Sequence, residues 1–91
     1  MPLTDTEVAM RLESLPDWRV ESGELTRTFA FQDFVGSLTF VNKVGELAEK
    51  AGHHPDIDIR YNRVRLALVT HDAGGITEKD FALAAAATKL G

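Results

Sequence analysis

The 91-residue sequence has no cysteine, no long hydrophobic run and no excess of positive charge. Without cysteine, disulfides and thiolate chemistry are excluded, and a zinc ion could be bound only by histidine and carboxylate side chains. No stretch approaches the ~18 apolar residues of a membrane span, and the N-terminus lacks the basic and apolar regions of a signal peptide. We therefore expect a cytoplasmic protein with no membrane contact, whose fold depends on packing alone.

The charge balance argues against nucleic acid as a direct ligand. The sequence has 14 Asp and Glu residues against 10 Lys and Arg residues, a net charge of −4, so it offers no basic surface to phosphate backbones. The hydrophobic fraction of 44% and the charged fraction of 26% are those of an ordinary globular protein. We expect one domain, residues 1–91, which buries ~60 to 65% of the surface of its unfolded chain.

Local signals in the first part of the chain predict a short helix and then a hairpin. Thr4 and Glu7 have the spacing of a capping box, and apolar residues then recur at helical intervals until Pro16. The pair Ser22-Gly23 separates two segments in which apolar residues alternate with polar ones. This pattern is typical of two antiparallel strands joined by a tight turn.

The central and last segments each predict a helix with a clear beginning. Asp33 is placed as an N-cap, and the apolar residues after it follow a helical period until Gly52, which suits the position after a helix end. Thr77 and Asp80 repeat the cap spacing ahead of an alanine-rich segment, residues 81–90.

A second hairpin is predicted between these two helices. Residues 56–61 alternate between charged and apolar side chains, and residues 64–71 form the partner strand. The order helix, two strands, helix, two strands, helix predicts an α+β fold, in which helices cover one face of a four-stranded antiparallel sheet. Ala67 and Val69 fall on the opposite face, so we expect a second subunit to cover part of it.

The register of the second hairpin makes a specific prediction about the histidines. With Asn62-Arg63 as the turn, Tyr61 pairs with Val64. The same register places His54 opposite His71, with Cβ atoms roughly 4.5 to 5.5 Å apart.

The three histidines of the chain are its strongest candidates for chemistry. His53 and His54 are adjacent, and the predicted register brings His71 to them, with Asp80 and Glu49 near enough to join the same pocket. Neutral imidazole both donates and accepts a proton near pH 7, so the cluster suits general acid–base catalysis. Three histidines also suit a metal, although neighbouring side chains diverge and a fourth ligand is lacking. The plainer alternatives are solvated histidines in a loop, Asp80 as a helix cap and Tyr61 as a core residue.

The chain resembles the pterin-4a-carbinolamine dehydratases. The segments "ELAEKAGHHP" and "VTHDAGGITEKD" carry the likeness. The spaced signature consists of Glu49, His53-His54-Pro55, Tyr61, His71 and Asp80. Some members have aromatic residues where this chain has Ile57 and Ile59.

The resemblance implies dehydration of 4a-hydroxytetrahydropterin to quinonoid dihydropterin, the recycling step that follows an aromatic amino-acid hydroxylase. It implies no metal and no bound cofactor, and assembly into homodimers or homotetramers. Some animal members are dimerisation partners of a transcription factor, so a protein-interaction module on the same fold is the alternative.

The resemblance also assigns roles to residues. The catalytic group is His53, His54, His71 and Asp80: His53 and His71 are the acid and base candidates, His54 mainly holds the pterin, and Asp80 orients an imidazole or raises its basicity. The implied substrate-binding residues, of which Gly52, Val69, Thr70 and Asp72 act through backbone contacts, are Glu49, Gly52, His53, His54, Pro55, Val69, Thr70, His71 and Asp72.

Overall fold

The computed structural model describes residues 1–91 and confirms the expected order of elements. A short 3₁₀-helix, His71–Ala73, lies between the last strand and the last helix. The elements are α1 (Asp5–Leu12), β1 (Arg19–Glu21), β2 (Glu24–Ala30), α2 (Phe34–Ala51), β3 (Asp56–Arg60), β4 (Arg63–Leu68) and α3 (Glu78–Leu90).

The four strands form one antiparallel sheet in the order β1-β2-β4-β3, which leaves β1 and β3 at its edges. The helices pack on one face of this sheet, as the α+β prediction requires. Alternate residues of β2 and β4 point toward α2 and α3, because side chains alternate across a strand. The core consists of Trp18, Leu25, Phe29, Phe40, Val44, Ala48, Val64, Leu66, Leu68, Ile76, Phe81, Leu83, Ala84 and Ala87. No helix combines the length and the apolar character that crossing a membrane requires.

The local start and turn signals form as predicted. The Thr4 side chain accepts a hydrogen bond from the backbone N–H of Glu7, whose carboxylate accepts one from the Thr4 N–H in return. Ser22 and Gly23 both have positive φ, 51° and 77°, which matches the type I′ turn that suits the twist of a hairpin. These features depend on residues close in sequence.

The predicted register of the second hairpin is wrong by two residues. Ile57 lies opposite Leu66 and Ile59 opposite Val64, so the turn consists of Tyr61 and Asn62. A shift of two residues keeps every side chain on its face, because the period of a strand is two. The apolar pattern therefore could not distinguish the two registers.

Contacts from outside the hairpin accompany the observed register. The backbone N–H of Phe31 donates to the Asn62 carbonyl at 2.7 Å, the Asn62 amide donates to the Phe31 carbonyl, and the Ser37 hydroxyl donates to the Tyr61 carbonyl. Tyr61 consequently lies at the tip with φ 52° and its side chain exposed. The interpretation of Tyr61 as a core residue is wrong.

The predicted pairing of His54 with His71 does not form. β3 begins at Asp56 and β4 ends at Leu68, so both histidines lie outside the ladder. His71 instead begins the 3₁₀-helix, which a backbone bridge between Thr70 and Gly75 closes.

The outer face of the sheet differs from the expectation of an exposed apolar strip. Ala67 does lie on that face, opposite Thr26, but both residues are almost inaccessible to solvent. Thr26 and Arg65 both donate hydrogen bonds to the Glu21 carboxylate. The burial of Ala67 thus arises within one chain and gives no indication of a second subunit.

Candidate active site

The end of α2 fixes the position of the adjacent histidines. Gly52 adopts the left-handed conformation, φ 63°, and its N–H donates to the Glu49 carbonyl, while the N–H of His53 donates to the Ala48 carbonyl. These two bonds form a Schellman motif, which ends a helix and turns the chain sharply. His53 is therefore held by backbone bonds directly after the helix, and Pro55 restricts His54 to extended backbone.

His53 forms the one pair in the protein between a histidine and a fully buried carboxylate. Its Nε2 atom lies 2.5 Å from Asp80 Oδ1, with the His53 side chain 12% exposed and the Asp80 side chain fully buried. Asp80 belongs to the first turn of α3. The C-terminal end of α2 and the N-terminal end of α3 thus meet through these two side chains.

The second oxygen of Asp80 is also engaged. Oδ2 accepts the backbone N–H of Thr77 at 2.8 Å and the hydroxyl of Thr70 at 2.9 Å. The Thr77 contact makes Asp80 part of a capping box. Asp80 is therefore both a helix cap and the partner of His53, so the two interpretations from the sequence are not exclusive.

The contact with Asp80 determines which nitrogen of neutral His53 carries the proton. An ionised carboxylate only accepts hydrogen bonds, so Nε2 must donate and Nδ1 is left with its lone pair. The hydrogen bond from Nε2 is the one that the ring makes, and no buried side-chain nitrogen or oxygen lacks a partner. Nδ1 consequently has access to solvent and is the atom of His53 that can take a proton.

His54 points away from His53, as the divergence of neighbouring side chains predicts. Its Nε2 atom lies 2.5 Å from Glu49 Oε2, and both side chains are largely exposed. His54, Glu49 and Pro55 line an open groove between α2 and β3. His53 lines a different groove of about 360 Å³ between α2 and α3, with Lys50 and Lys79 also on its lining.

His71 and its neighbours lie in the loop that leads to α3. His71 is exposed and makes no side-chain hydrogen bond, and Asp72 is also exposed, while Val69 is half-buried. No group of three or more His, Asp or Glu side chains is positioned to hold a metal ion. The structure therefore joins His53 to Asp80 and His54 to Glu49, and it leaves His71 free in the adjoining loop.

The hydroxyl of Thr70 is the side-chain partner of Asp80 that the sequence does not predict. The resemblance implies only a backbone contact for Thr70, yet its hydroxyl is hydrogen-bonded to both Asp80 and the Thr77 hydroxyl, the latter at 2.7 Å. Thr77 was recognisable as a helix cap from its spacing to Asp80. Nothing local marked Thr70, because its contact with Asp80 depends on the closure of the loop between them.

The fold and the site define a small α+β protein in which a sheltered histidine contacts a buried carboxylate, an arrangement suited to general acid–base chemistry. The family described as pterin 4 alpha carbinolamine dehydratase matches residues 1–90. The chain belongs to this family.

Bacterial relatives are similar over nearly their whole length. A protein of Acidobacterium capsulatum named "Putative pterin-4-alpha-carbinolamine dehydratase" is 62% identical over 88 residues, covering 97% of this chain and 96% of the relative. A protein of the same name from Chloroflexus aurantiacus is 60% identical, covering 97% and 95%.

Two solved structures share the fold. The "transcriptional coactivator/pterin dehydratase" of Brucella melitensis is 34% identical, with a TM-score of 0.95 over 99% of this chain and 98% of that one. A "pterin dehydratase-like protein", described as a RuBisCO assembly factor in the alpha-carboxysome, is 26% identical, with a TM-score of 0.65 over 80% and 84%.

Proposed function

We propose that the protein is an enzyme, a 4a-hydroxytetrahydropterin dehydratase, that converts its substrate to quinonoid dihydropterin and water by histidine acid–base catalysis. The observation that carries the proposal is the contact between His53 and buried Asp80. Membership of the family and the names of the relatives support the substrate class. The proposed role is pterin recycling after aromatic amino-acid hydroxylation, which links the protein functionally to a hydroxylase.

The reaction needs two proton transfers of opposite direction. The hydroxyl on carbon 4a leaves as water once it has received a proton, and a ring nitrogen of the pterin gives up a proton as the new double bond forms. A histidine serves either transfer, because its ordinary pKa lies near 7. In the proposal His53 accepts through Nδ1 and His71 serves the other transfer.

The Asp80 carboxylate supports His53 in this role by two physical effects. It fixes the ring orientation through Nε2, and its negative charge stabilises the imidazolium that forms when Nδ1 takes a proton. His54 lies on the other side of the turn, where Glu49 holds its ring. We assign His54 to holding the pterin.

The proposed pterin site spans the turn after α2, from the groove of His53 to the groove of His54, and extends to the loop that precedes α3. Backbone groups of Gly52, Val69, Thr70 and Asp72, with Pro55 beside His54, are the proposed remaining contacts. The hydrogen bond between Thr70 and Asp80 supports this arrangement, because it places the residue before His71 directly against the partner of His53.

Stopped-flow absorbance of freshly generated 4a-hydroxytetrahydropterin tests the proposal. Wild type should accelerate dehydration, and His53→Ala and His71→Ala should each lower kcat by roughly 10²-fold or more, the usual contribution of a general acid or base. Lys43→Ala, an exposed change on α2, is the control that should keep full activity. Wild-type protein no faster than buffer would contradict the proposal, as would full activity in both histidine variants.

A protein-interaction role is the second candidate function, and the name of the Brucella melitensis relative, which includes the words transcriptional coactivator, favours it. An exposed apolar surface on α2 suits contact with another protein chain. Phe34, Val35 and Leu38, near the start of α2, are 44%, 68% and 40% exposed. Clustered apolar residues on a surface mark contacts with other protein chains. We propose that this α2 apolar surface forms the homodimer or homotetramer interface. A pull-down that recovers a stoichiometric partner, together with no dehydratase activity, would favour the interaction role over the enzyme.

The single hydrophobic core supports the interpretation of residues 1–91 as one domain, because β2, β4, α2 and α3 all contribute residues to the same cluster. Limited proteolysis tests this: one protected fragment of nearly full length is expected, and two stable fragments would contradict it.

A further inference from the structure

The Asp80 carboxylate has three hydrogen-bond partners. Two of them are accounted for by helix capping and by the contact with His53, and the third has no such role. The Thr77 N–H satisfies the capping box and His53 occupies Oδ1. The Thr70 hydroxyl comes from outside α3 and donates to Oδ2 at 2.9 Å. A buried carboxylate with all of these partners has a fixed orientation, since each oxygen is already committed.

The protons of this network have only one consistent arrangement. The Asp80 carboxylate accepts from every partner, so the single hydroxyl proton of Thr70 must point at Asp80. The hydrogen bond between the two threonine hydroxyls must then be donated by Thr77. Thr77 Oγ1 in turn accepts the backbone N–H of Lys79. The network therefore runs from Thr77 through Thr70 to Asp80, whose other oxygen accepts the hydrogen bond from His53 Nε2–H.

The loop around Thr70 does not depend on this hydroxyl for its closure. The backbone N–H of Thr70 donates to the Gly75 carbonyl at 3.0 Å, and the Gly75 N–H donates back at 3.3 Å. Removing the Thr70 hydroxyl leaves both backbone bonds possible. The side chain is thus separable from the structural role of the loop.

We propose that Thr70 is a positioning residue for His53, acting through Asp80: its hydroxyl locks the carboxylate and so keeps neutral His53 as the Nε2–H tautomer with Nδ1 free. The inference deepens the proposed function, on which its kinetic consequence rests. Without the hydroxyl, Asp80 keeps the Thr77 N–H but loses a donor at Oδ2, so the carboxylate can rotate. The hydrogen bond between Asp80 and His53 Nε2 is then less well aligned, so the ring orientation and the Nε2–H tautomer of His53 are less strongly favoured.

Three variants test the kinetic consequence. Thr70→Val keeps the shape of the side chain and removes the hydroxyl. We expect kcat to fall by about 10-fold with KM unchanged, because hydrogen bonds that orient a functional imidazole typically have effects of this size. Thr70→Ser restores the hydroxyl and should recover most of kcat. Thr28→Val, the same change at an exposed position of β2, is the matched control. An unchanged kcat in Thr70→Val, or a failure of Thr70→Ser to recover it, would overturn the inference.

A direct measurement of the tautomer separates this inference from the proposed function. Nitrogen-15 NMR of the His53 ring at pH ~8.5, where an ordinary imidazole is neutral, should show protonated Nε2 and unprotonated Nδ1 in wild type. Thr70→Val should show a mixture of the two tautomers. Wild type with protonated Nδ1, or Thr70→Val with the wild-type spectrum, would overturn the inference whatever the activity. Where Thr70→Val does not fold, the wild-type spectrum and Thr70→Ala decide in the same way.

Discussion

His53 and Asp80 lie 27 residues apart in sequence, yet Nε2 of one is 2.5 Å from Oδ1 of the other. Each residue sits beside a helix terminus that its own neighbours determine: a Schellman motif ends α2 before His53, and a capping box begins α3 around Asp80. Two local motifs with fixed geometry thus present the pair to each other. The consequences of this relationship for activity and stability can be measured.

Asp80→Asn should lower kcat strongly while the protein remains folded. The amide keeps the shape of the carboxylate and can still cap α3 through its oxygen. Its NH₂ group then faces His53, which must accept at Nε2 and carry its proton on Nδ1, the unproductive tautomer. We expect kcat to fall by about 10²-fold, measured by stopped-flow absorbance, with far-UV circular dichroism confirming the fold. Activity equal to wild type would exclude Asp80 from the mechanism.

Gly52→Ala should destabilise the protein and disturb the histidine turn. Gly52 has φ 63°, and a side chain in this left-handed conformation costs about 1 to 2 kcal/mol. Gly45→Ala is the matched control, because a Cβ there meets nothing within 4 Å and alanine is favoured over glycine inside a helix by ~0.8 to 1 kcal/mol. Urea denaturation should therefore show opposite signs for the two variants. The same sign for both would contradict this account of the turn.

The salt bridge on the outer face of the sheet should make stability depend on acid. The hydrogen bond from Arg65, followed by that from Thr26, holds the pKa of the Glu21 carboxyl below its ordinary value. A lowered folded-state pKa contributes stability that is present above the ordinary value and lost as pH falls through the lowered one. The stability difference between wild type and Glu21→Gln should thus shrink on going from neutral pH to about pH 3.

Thermal unfolding at several pH values measures this difference. Arg65→Leu removes the donor with the largest effect on Glu21, so this variant should show a weaker loss of stability with acid than wild type. A wild-type curve parallel to that of Glu21→Gln at all pH values would show that the contact contributes nothing.

The α2 apolar surface should control self-association. Val35→Glu and Leu38→Glu place a charge among exposed apolar residues, and burial of that charge in an interface is unfavourable. We expect both variants to lower the molar mass measured by light scattering after size exclusion, while Lys43→Glu on the same helix leaves it unchanged. A wild-type monomer, or variants with wild-type mass, would show that this surface is not the interface.

Residues whose contacts are local in sequence could be predicted, whereas residues whose position depends on the strand register could not. Thr4, Ser22-Gly23 and Thr77 were interpreted correctly, because caps and tight turns depend on contacts within about four residues. The turn at Tyr61 and the pairing of His71 were not, because an alternating pattern is unchanged by a shift of two residues.

The sequence by itself determined where the helices begin, the alternation of the strands, the α+β class and the choice of the three histidines, Asp80 and Glu49 as candidate site residues. These follow from propensity, period and spacing, all of which are local. Only the tertiary structure decided that His53 rather than His54 meets Asp80, that Glu49 takes His54, and that the Thr70 hydroxyl completes the network. The physical reason is that a hydrogen bond needs two atoms within about 3 Å, and the packing of α2 against α3 and the closure of the loop before α3 set those distances.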